Sequence, residues 1–182
     1  SRALSGKGRI GKETRERVLA LAQKEERKPK KTPEKTRNIA VVLPTDAYRT
    51  GGEYFHECLI GICEEASSRD YDVMITDVTG NNYSGVERLI RKKKIDGVIL
   101  TRTMEHDRML EWLSDIQFPV AVTGSVQNDF IIQVDTDNER ASQDLTAYLI
   151  SRGYRHFAIV LDYMEYTVNK QRYDGFCKAL YK

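Results

Sequence analysis

Several short clusters in this 182-residue chain carry side chains able to hold a polar small molecule. Tyr48, Arg49 and Thr50 follow an apolar run at 39–43. Thr101, Arg102 and Thr103 end or follow a second run at 97–101, and Asp162 follows a third at 157–161. Arg172 lies farther on, in Arg172-Tyr-Asp-Gly-Phe. Aromatic faces, hydroxyls and charged hydrogen-bonding groups grip polar ligands such as sugars, and a guanidinium adds a planar fork of donors. Each position is equally compatible with an ordinary loop residue, and Arg172 taken alone with a solvated helix surface.

Other chemistries find no support. Asp135, Asp137 and Asn138 suggest a metal loop but lack the Gly and terminal Glu of a calcium loop. Capping by Asn138 explains them better, with Asp137 at the positive end of a helix dipole. His56, His106 and His156 show no metal-ligand spacing, and Cys58, Cys63 and Cys177 form no C-x-x-C pair. Reduced structural thiols are the default for an odd set of this kind. The turn 44–52 is neither a dinucleotide fingerprint nor a P-loop, and no G-x-S-x-G elbow is present. The 97–101 run also ends without the acidic residue that a phospho-receiver needs. These observations predict no enzyme activity, no cofactor and no metal.

Alternating elements must position the polar clusters. Apolar runs at 39–43, 72–77, 97–101, 120–123, 131–134 and 157–161 read as strands. Helical patterns intervene at 53–69, 84–93, 108–114, 138–152 and 168–181. This order predicts an α/β fold with a doubly wound parallel sheet, whose ligands bind at the carboxyl ends of the strands.

Charge divides the chain. Residues 1–38 hold 13 Lys/Arg against 5 Asp/Glu, a net of +8, while the remainder nets −6. A basic head on an acidic body is the footprint of polyanion binding at one end, or else a solvated basic tail. Residues 11–22 predict a helix with one apolar face in Val18, Leu21 and Ala22. Residues 27–38, which hold no apolar residue beyond two prolines, predict a linker. No run is long enough to span a membrane and no signal sequence precedes the head, so a cytoplasmic location is expected.

Three blocks then carry a resemblance. Ser1-Arg-Ala-Leu-Ser-Gly-Lys-Gly-Arg-Ile10 with Glu13-Thr-Arg-Glu-Arg-Val-Leu19 resembles the end of the helix-turn-helix of LacI/GalR-type regulators. Val134-Asp-Thr-Asp-Asn138 with Leu149-Ile-Ser-Arg-Gly-Tyr-Arg-His-Phe-Ala-Ile159 is similar to that family's V-x-x-D-N…G-H-R-x-I-A. Arg172-Tyr-Asp-Gly-Phe176 with Ala179-Leu180 resembles its R-x-x-G-[FY]-x-x-A-L.

The resemblance implies a partial DNA-binding head at 1–26, a hinge at 27–38, an effector subdomain at 39–134 and the start of a second at 135–182. Against the family pattern the chain begins inside the recognition helix and stops early in the second subdomain. It implies that Ser1 and Arg2 face phosphate at the far end of the recognition helix, while Leu4 faces either the groove side or its own helical unit. Lys28, Lys30 and Lys31 are expected to neutralise phosphates. The family hinge carries a minor-groove wedge, and residues 27–38 have no aliphatic or aromatic side chain to supply one. Arg172 is expected to contact the effector, joined by Tyr48, Arg49, Thr50, Thr101 and Asp162. The implied function is a DNA-binding repressor controlled by a sugar-like effector and acting on an operator as a homodimer. The alternative is a free sugar-binding protein with the same core and no DNA function.

Overall fold

The computed structural model describes residues 16–17, 35–45, 52–80, 82–128 and 130–181. The chain divides into two compact units, 1–35 and 36–182. In the first, Glu16 and Arg17 are helical and exposed. Ser1, Arg2, Leu4, Lys28, Lys30 and Lys31 lie outside the described residues, as do Tyr48, Arg49 and Thr50.

The second unit is built on five parallel strands. They are β1 (Asn38–Pro44), β2 (Asp72–Val78), β3 (Gly97–Leu100), β4 (Val120–Thr123) and β5 (Ile132–Val134), in the order β2-β1-β3-β4-β5. Helices α1 (Gly52–Ser68), α2 (Ser84–Arg91) and α3 (Arg108–Asp115) make the first three crossovers. β1 is the central strand, pairing Val41 with Ile75 on β2 and with Ile99 on β3. It is buried from Ala40 to Pro44, which is why its sequence is a continuous apolar run rather than an alternation.

Successive β1 side chains face opposite sides. Ala40 and Val42 join Val98, Leu100 and Val122 in one core, closed by Val86 and Leu89 of α2 and Met109, Leu110 and Leu113 of α3. Val41 and Leu43, also buried, face the other side, and α1 packs against β1 and β2. Burying a Leu such as Leu113, with 0% exposure, stabilises the unit by about 1.5–3 kcal/mol. Among the described residues no helix is long and apolar enough to cross a membrane.

The lead into β1 is pinned. Asp96, in the turn before β3, accepts hydrogen bonds from the Thr36 amide (2.9 Å), the Thr36 hydroxyl (3.0 Å) and the Arg37 amide (2.8 Å). Arg37 adopts φ 56° there and pairs with Asp70 at 3.1 Å.

After β5 the chain forms α4 (Asn138–Ser151) and α5 (Thr167–Leu180), which pack closely on each other. A Cβ at buried Gly175 of α5 would lie 2.0 Å from the Glu139 carbonyl oxygen of α4. Only glycine permits that approach. Lys178 and Glu139 form an ion pair across the same junction.

Two expectations differ from the structure. Asp137, not Asn138, is the N-cap of α4, its carboxylate accepting from the Arg140 amide at 2.9 Å. Asn138 is the first helical residue and is buried. Residues 157–161 form no strand, and Val160 is 93% exposed. An apolar run becomes a strand only beside another strand that satisfies its amides and carbonyls, and the sheet edges here are β2 and β5.

Candidate functional site

From β1 the chain crosses to β2 on one side and then returns to β3 on the other. Such a reversal opens a crevice at the carboxyl ends of the strands. A cavity of about 450 Å³ lies there, walled by the ends of β1, β2 and β3 and by the loops that follow them. Its floor includes Val42 and Leu100. Its polar and aromatic rim includes Thr45, Tyr83, Arg102, Asp107, Tyr163 and Tyr166.

Each rim residue is held by local structure. The Thr45 hydroxyl donates to the Val78 carbonyl at 2.8 Å, tying the end of β1 to that of β2. Tyr83 immediately precedes α2 and stacks on Trp112 of α3, with ring centroids 5.4 Å apart and planes inclined 26°. Asp107 is the N-cap of α3, accepting from the Leu110 amide at 3.1 Å. Burial pushes its carboxyl above the ordinary range, against the opposing pull of backbone amides of Leu110, Met109 and Met104. Desolvation of the charged form wins over the hydrogen bonds that stabilise it.

The segment before α5 supplies the far wall. The Glu105 amide donates to the Glu165 carbonyl at 2.9 Å and the Thr167 amide to the Thr103 carbonyl at 3.2 Å, flanking a bridge between Met104 and Tyr166. The Arg102 guanidinium carbon sits 3.9 Å from the centre of the Tyr166 ring, a cation–π contact. Gly124 fits beside this loop because its φ is 130° and a Cβ would lie 2.8 Å from the Thr103 hydroxyl.

A second polar cluster lies beyond the carboxyl end of β4. Gln171 Nε2 donates to the Ser125 hydroxyl oxygen at 2.5 Å, and that hydroxyl donates to Asp135 Oδ2 at 3.0 Å. Asn138 Nδ2 donates to Asp135 Oδ1 at 3.0 Å, while Asn138 Oδ1 accepts from Arg172 Nε at 3.2 Å. Gln171 Oε1 is buried without a hydrogen-bond partner.

The residues singled out from sequence are therefore dispersed. Arg172 is exposed and belongs to the second cluster. Asp162 is exposed beside the cavity-lining Tyr163. Thr101 is 2% exposed and its hydroxyl donates to the Val42 carbonyl at 2.8 Å, so it braces β3 against β1 behind the cavity. Sequence reasoning passed over Tyr83, Asp107, Tyr163 and Tyr166. Arg102, marked with its loop, does line the cavity, and Tyr163 adjoins Asp162. Asp107 carried an unused signal, an N-capping side chain two residues before the apolar pair Met109-Leu110.

The architecture has known counterparts. Residues 36–182 match the model of periplasmic binding proteins and the sugar-binding domain of the LacI family. The chain belongs to this family. It is 28% identical to the HTH-type transcriptional regulator MalR of Streptococcus pneumoniae, over 99% of this chain and 57% of MalR. It thus spans just over half the length of the curated relatives it matches. A transcription regulator-like protein from Staphylococcus haemolyticus has a structure similar to it, with 28% identity, a TM-score of 0.73 and coverage of 80% of this chain and 56% of that one. The CelR regulator solved with cellobiose shares the fold at 22% identity and a TM-score of 0.68, covering 99% of this chain and 56% of CelR. The parallel α/β sheet is that of LacI-family cores, and the relatives are HTH-type transcriptional regulators.

Proposed function

We propose that this chain is the effector-sensing part of a DNA-binding transcriptional repressor, and that a sugar or sugar derivative bound in the crevice controls its operator affinity. The observation that carries the reading is the cavity itself. It lies where the strand order reverses, and both the sheet loops and the segment before α5 wall it, with tyrosines beside a carboxylate and a guanidinium. A ligand touching both walls stabilises one arrangement of them over another, and control of DNA affinity requires such a difference. The relative's name and the cellobiose bound to CelR support this assignment.

In this reading residues 1–26 are part of a helix-turn-helix head and 27–38 a basic hinge, leading to effector subdomains at 39–134 and from 135 onward. Ser1, Arg2 and Leu4 belong to the DNA-facing head, and Lys28, Lys30 and Lys31 contact phosphates in the hinge. Tyr48, Arg49, Thr50, Asp162 and Arg172 are assigned to the effector site, and Thr101 to the strand end that braces it from behind. The protein acts in the cytoplasm as a homodimer on a palindromic operator, because paired recognition helices match a two-fold site. The net charge of +8 on residues 1–38 favours this over a free sugar-binding protein.

The test has two arms. The complete protein is expected to bind a palindromic site near its own promoter at low salt, and failure there sinks the repressor reading. A thermal-shift screen of sugars, sugar phosphates and nucleobases identifies the effector class. If Arg172→Ala leaves the best shift unchanged, the role assigned to Arg172 is wrong.

A further inference from the structure

Residues 39–182 carry a net charge of −6, yet one short stretch among them runs the other way. Arg88, Arg91, Lys92, Lys93 and Lys94 fall within seven residues that include no acidic one, and all five are exposed. Among the described residues none of the five forms an ion pair. The negative end of the α2 dipole accounts for Arg88 and Arg91 in its last turn. That attraction falls off beyond the turn, and Lys93 and Lys94 extend the run past the cap residue Lys92.

The place of this run gives it meaning. Asn38 Nδ2 donates to the Lys94 carbonyl at 2.8 Å, and the Asp96 amide donates to the Asn38 carbonyl at 2.8 Å. With Asp96 also accepting from Thr36 and Arg37, the lead into β1 is fixed to the 92–96 turn. The segment that ends there, residues 27–38, holds six Lys/Arg against one Glu. Asp70, Asp72, Asp96 and Asp115 lie toward the same end of the strands. Two of them are already engaged, Asp70 by the Arg37 guanidinium and Asp96 by the amides of Thr36 and Arg37.

We propose that Lys92, Lys93 and Lys94 form a DNA-phosphate-contacting surface of the effector unit, adding to the contacts assigned to the head and hinge. The proposal rests on the repressor reading above and places a nucleic-acid contact within residues 36–182. Two basic segments that meet at one point repel each other, and a polyanion relieves the repulsion for both. Duplex DNA is the favoured polyanion, because its charge repeats about every 1.7 Å of axis and the adjoining hinge is assigned to its phosphates. Ammonium groups act as point charges, so this surface adds affinity without reading sequence.

The experiment uses the full chain and two DNA duplexes of unrelated sequence, with binding followed by fluorescence anisotropy across a salt titration. Lys93→Gln is combined with Lys94→Gln. Glutamine suits position 93, where φ is 50°, since Gln117 adopts 53° after α3. The double variant is expected to bind both duplexes about tenfold or more weakly at low salt, with the slope of log K against log salt reduced by about 2. Arg140→Gln with Arg152→Gln removes the same charge from exposed positions of α4 and its cap, and is expected to leave the slope unchanged. Far-ultraviolet circular dichroism checks that each variant is folded.

An unchanged slope in the Lys93 and Lys94 variant overturns the proposal. If Lys28→Gln, Lys30→Gln and Lys31→Gln together still flatten the slope, the hinge assignment stands without it. An equal fall in the Arg140 and Arg152 variant also overturns it, because net charge and not this turn then sets the affinity. Polyglutamate held as tightly as DNA through Lys93 and Lys94 overturns the DNA contact in favour of an acidic protein partner. Failure of the unaltered chain to bind either duplex at low salt overturns this proposal together with the hinge contacts, while the operator test above judges the repressor reading separately.

Discussion

Asp96 receives both the backbone amide and the hydroxyl of Thr36, at 2.9 and 3.0 Å, on a single carboxylate oxygen. The two residues are 60 positions apart, and the contact fixes where the chain joins the sheet. With Oδ2 also accepting from the Arg37 amide, one side chain satisfies two successive amides that no strand has yet paired.

Asp96→Ala is expected to lower the stability of the 36–182 unit by about 1–3 kcal/mol, the cost of leaving such donors without acceptors. Asp96→Asn retains one acceptor oxygen and loses less. Urea denaturation followed by circular dichroism checks the order, and equal losses in the two variants would contradict the account.

Trp112 is the single tryptophan of the chain, and its stacked partner Tyr83 lines the cavity. Effector binding is therefore expected to change tryptophan emission. Tyr83→Ala should shift the emission of the free protein to longer wavelength by exposing the indole. A titration in which Tyr83→Ala binds as before with an unchanged spectral response would place the ligand elsewhere.

The raised titration of Asp107 has a defined sign. The folded protein holds this proton more tightly than the unfolded chain, so stability falls as pH rises from the ordinary carboxylate value through the raised one. The penalty is complete above that window and absent below it. Asp107→Asn is thus expected to equal or exceed the unaltered protein in thermal midpoint at neutral pH, with its relative advantage shrinking as the pH falls through the window. The midpoint difference between the two proteins, measured from pH 7 to pH 3, checks this; a difference that grows on acidification would reverse the sign.

Gly175→Ala is expected to destabilise the α4–α5 pair despite the better helix propensity of alanine, worth about 1 kcal/mol. The added carbon would meet the Glu139 carbonyl oxygen at 2.0 Å, and backbone does not give way as a flexible side chain does. Thermal unfolding of the variant decides it; a midpoint equal to or above that of the unaltered protein refutes the close packing.

The sheet was readable in the sequence because its central strand is buried on both faces and so writes an unbroken apolar run at 39–43. The run at 157–161 is equally apolar, yet composition does not say whether a neighbouring strand exists, and here none pairs with it. Helix starts were legible to within a residue or two. Asp137 outcompeted Asn138 as the cap of α4 because its side chain reaches the Arg140 amide, while Asn138 is turned to Asp135 and Arg172. The site was the least legible part. Tyr83, Asp107 and Tyr166 come from three separate loops that only the crossover order brings together. Thr101 has the right chemistry in the right loop, but its hydroxyl is spent on the Val42 carbonyl.

The margin of the sheet at β5 has a practical consequence. Ile132 and Val134 are 69% and 68% exposed, and the neighbouring Phe130 is 99% exposed. No further strand among the described residues lies outside β5. An uncovered margin of this kind is adhesive, since another chain that lays a strand along it satisfies polar backbone and hides apolar surface in one step. Preparations of this chain are therefore expected to become turbid as concentration and temperature rise together. A lysine substituted for Ile132 should keep them clear, because stacking of margins would have to bury its charge.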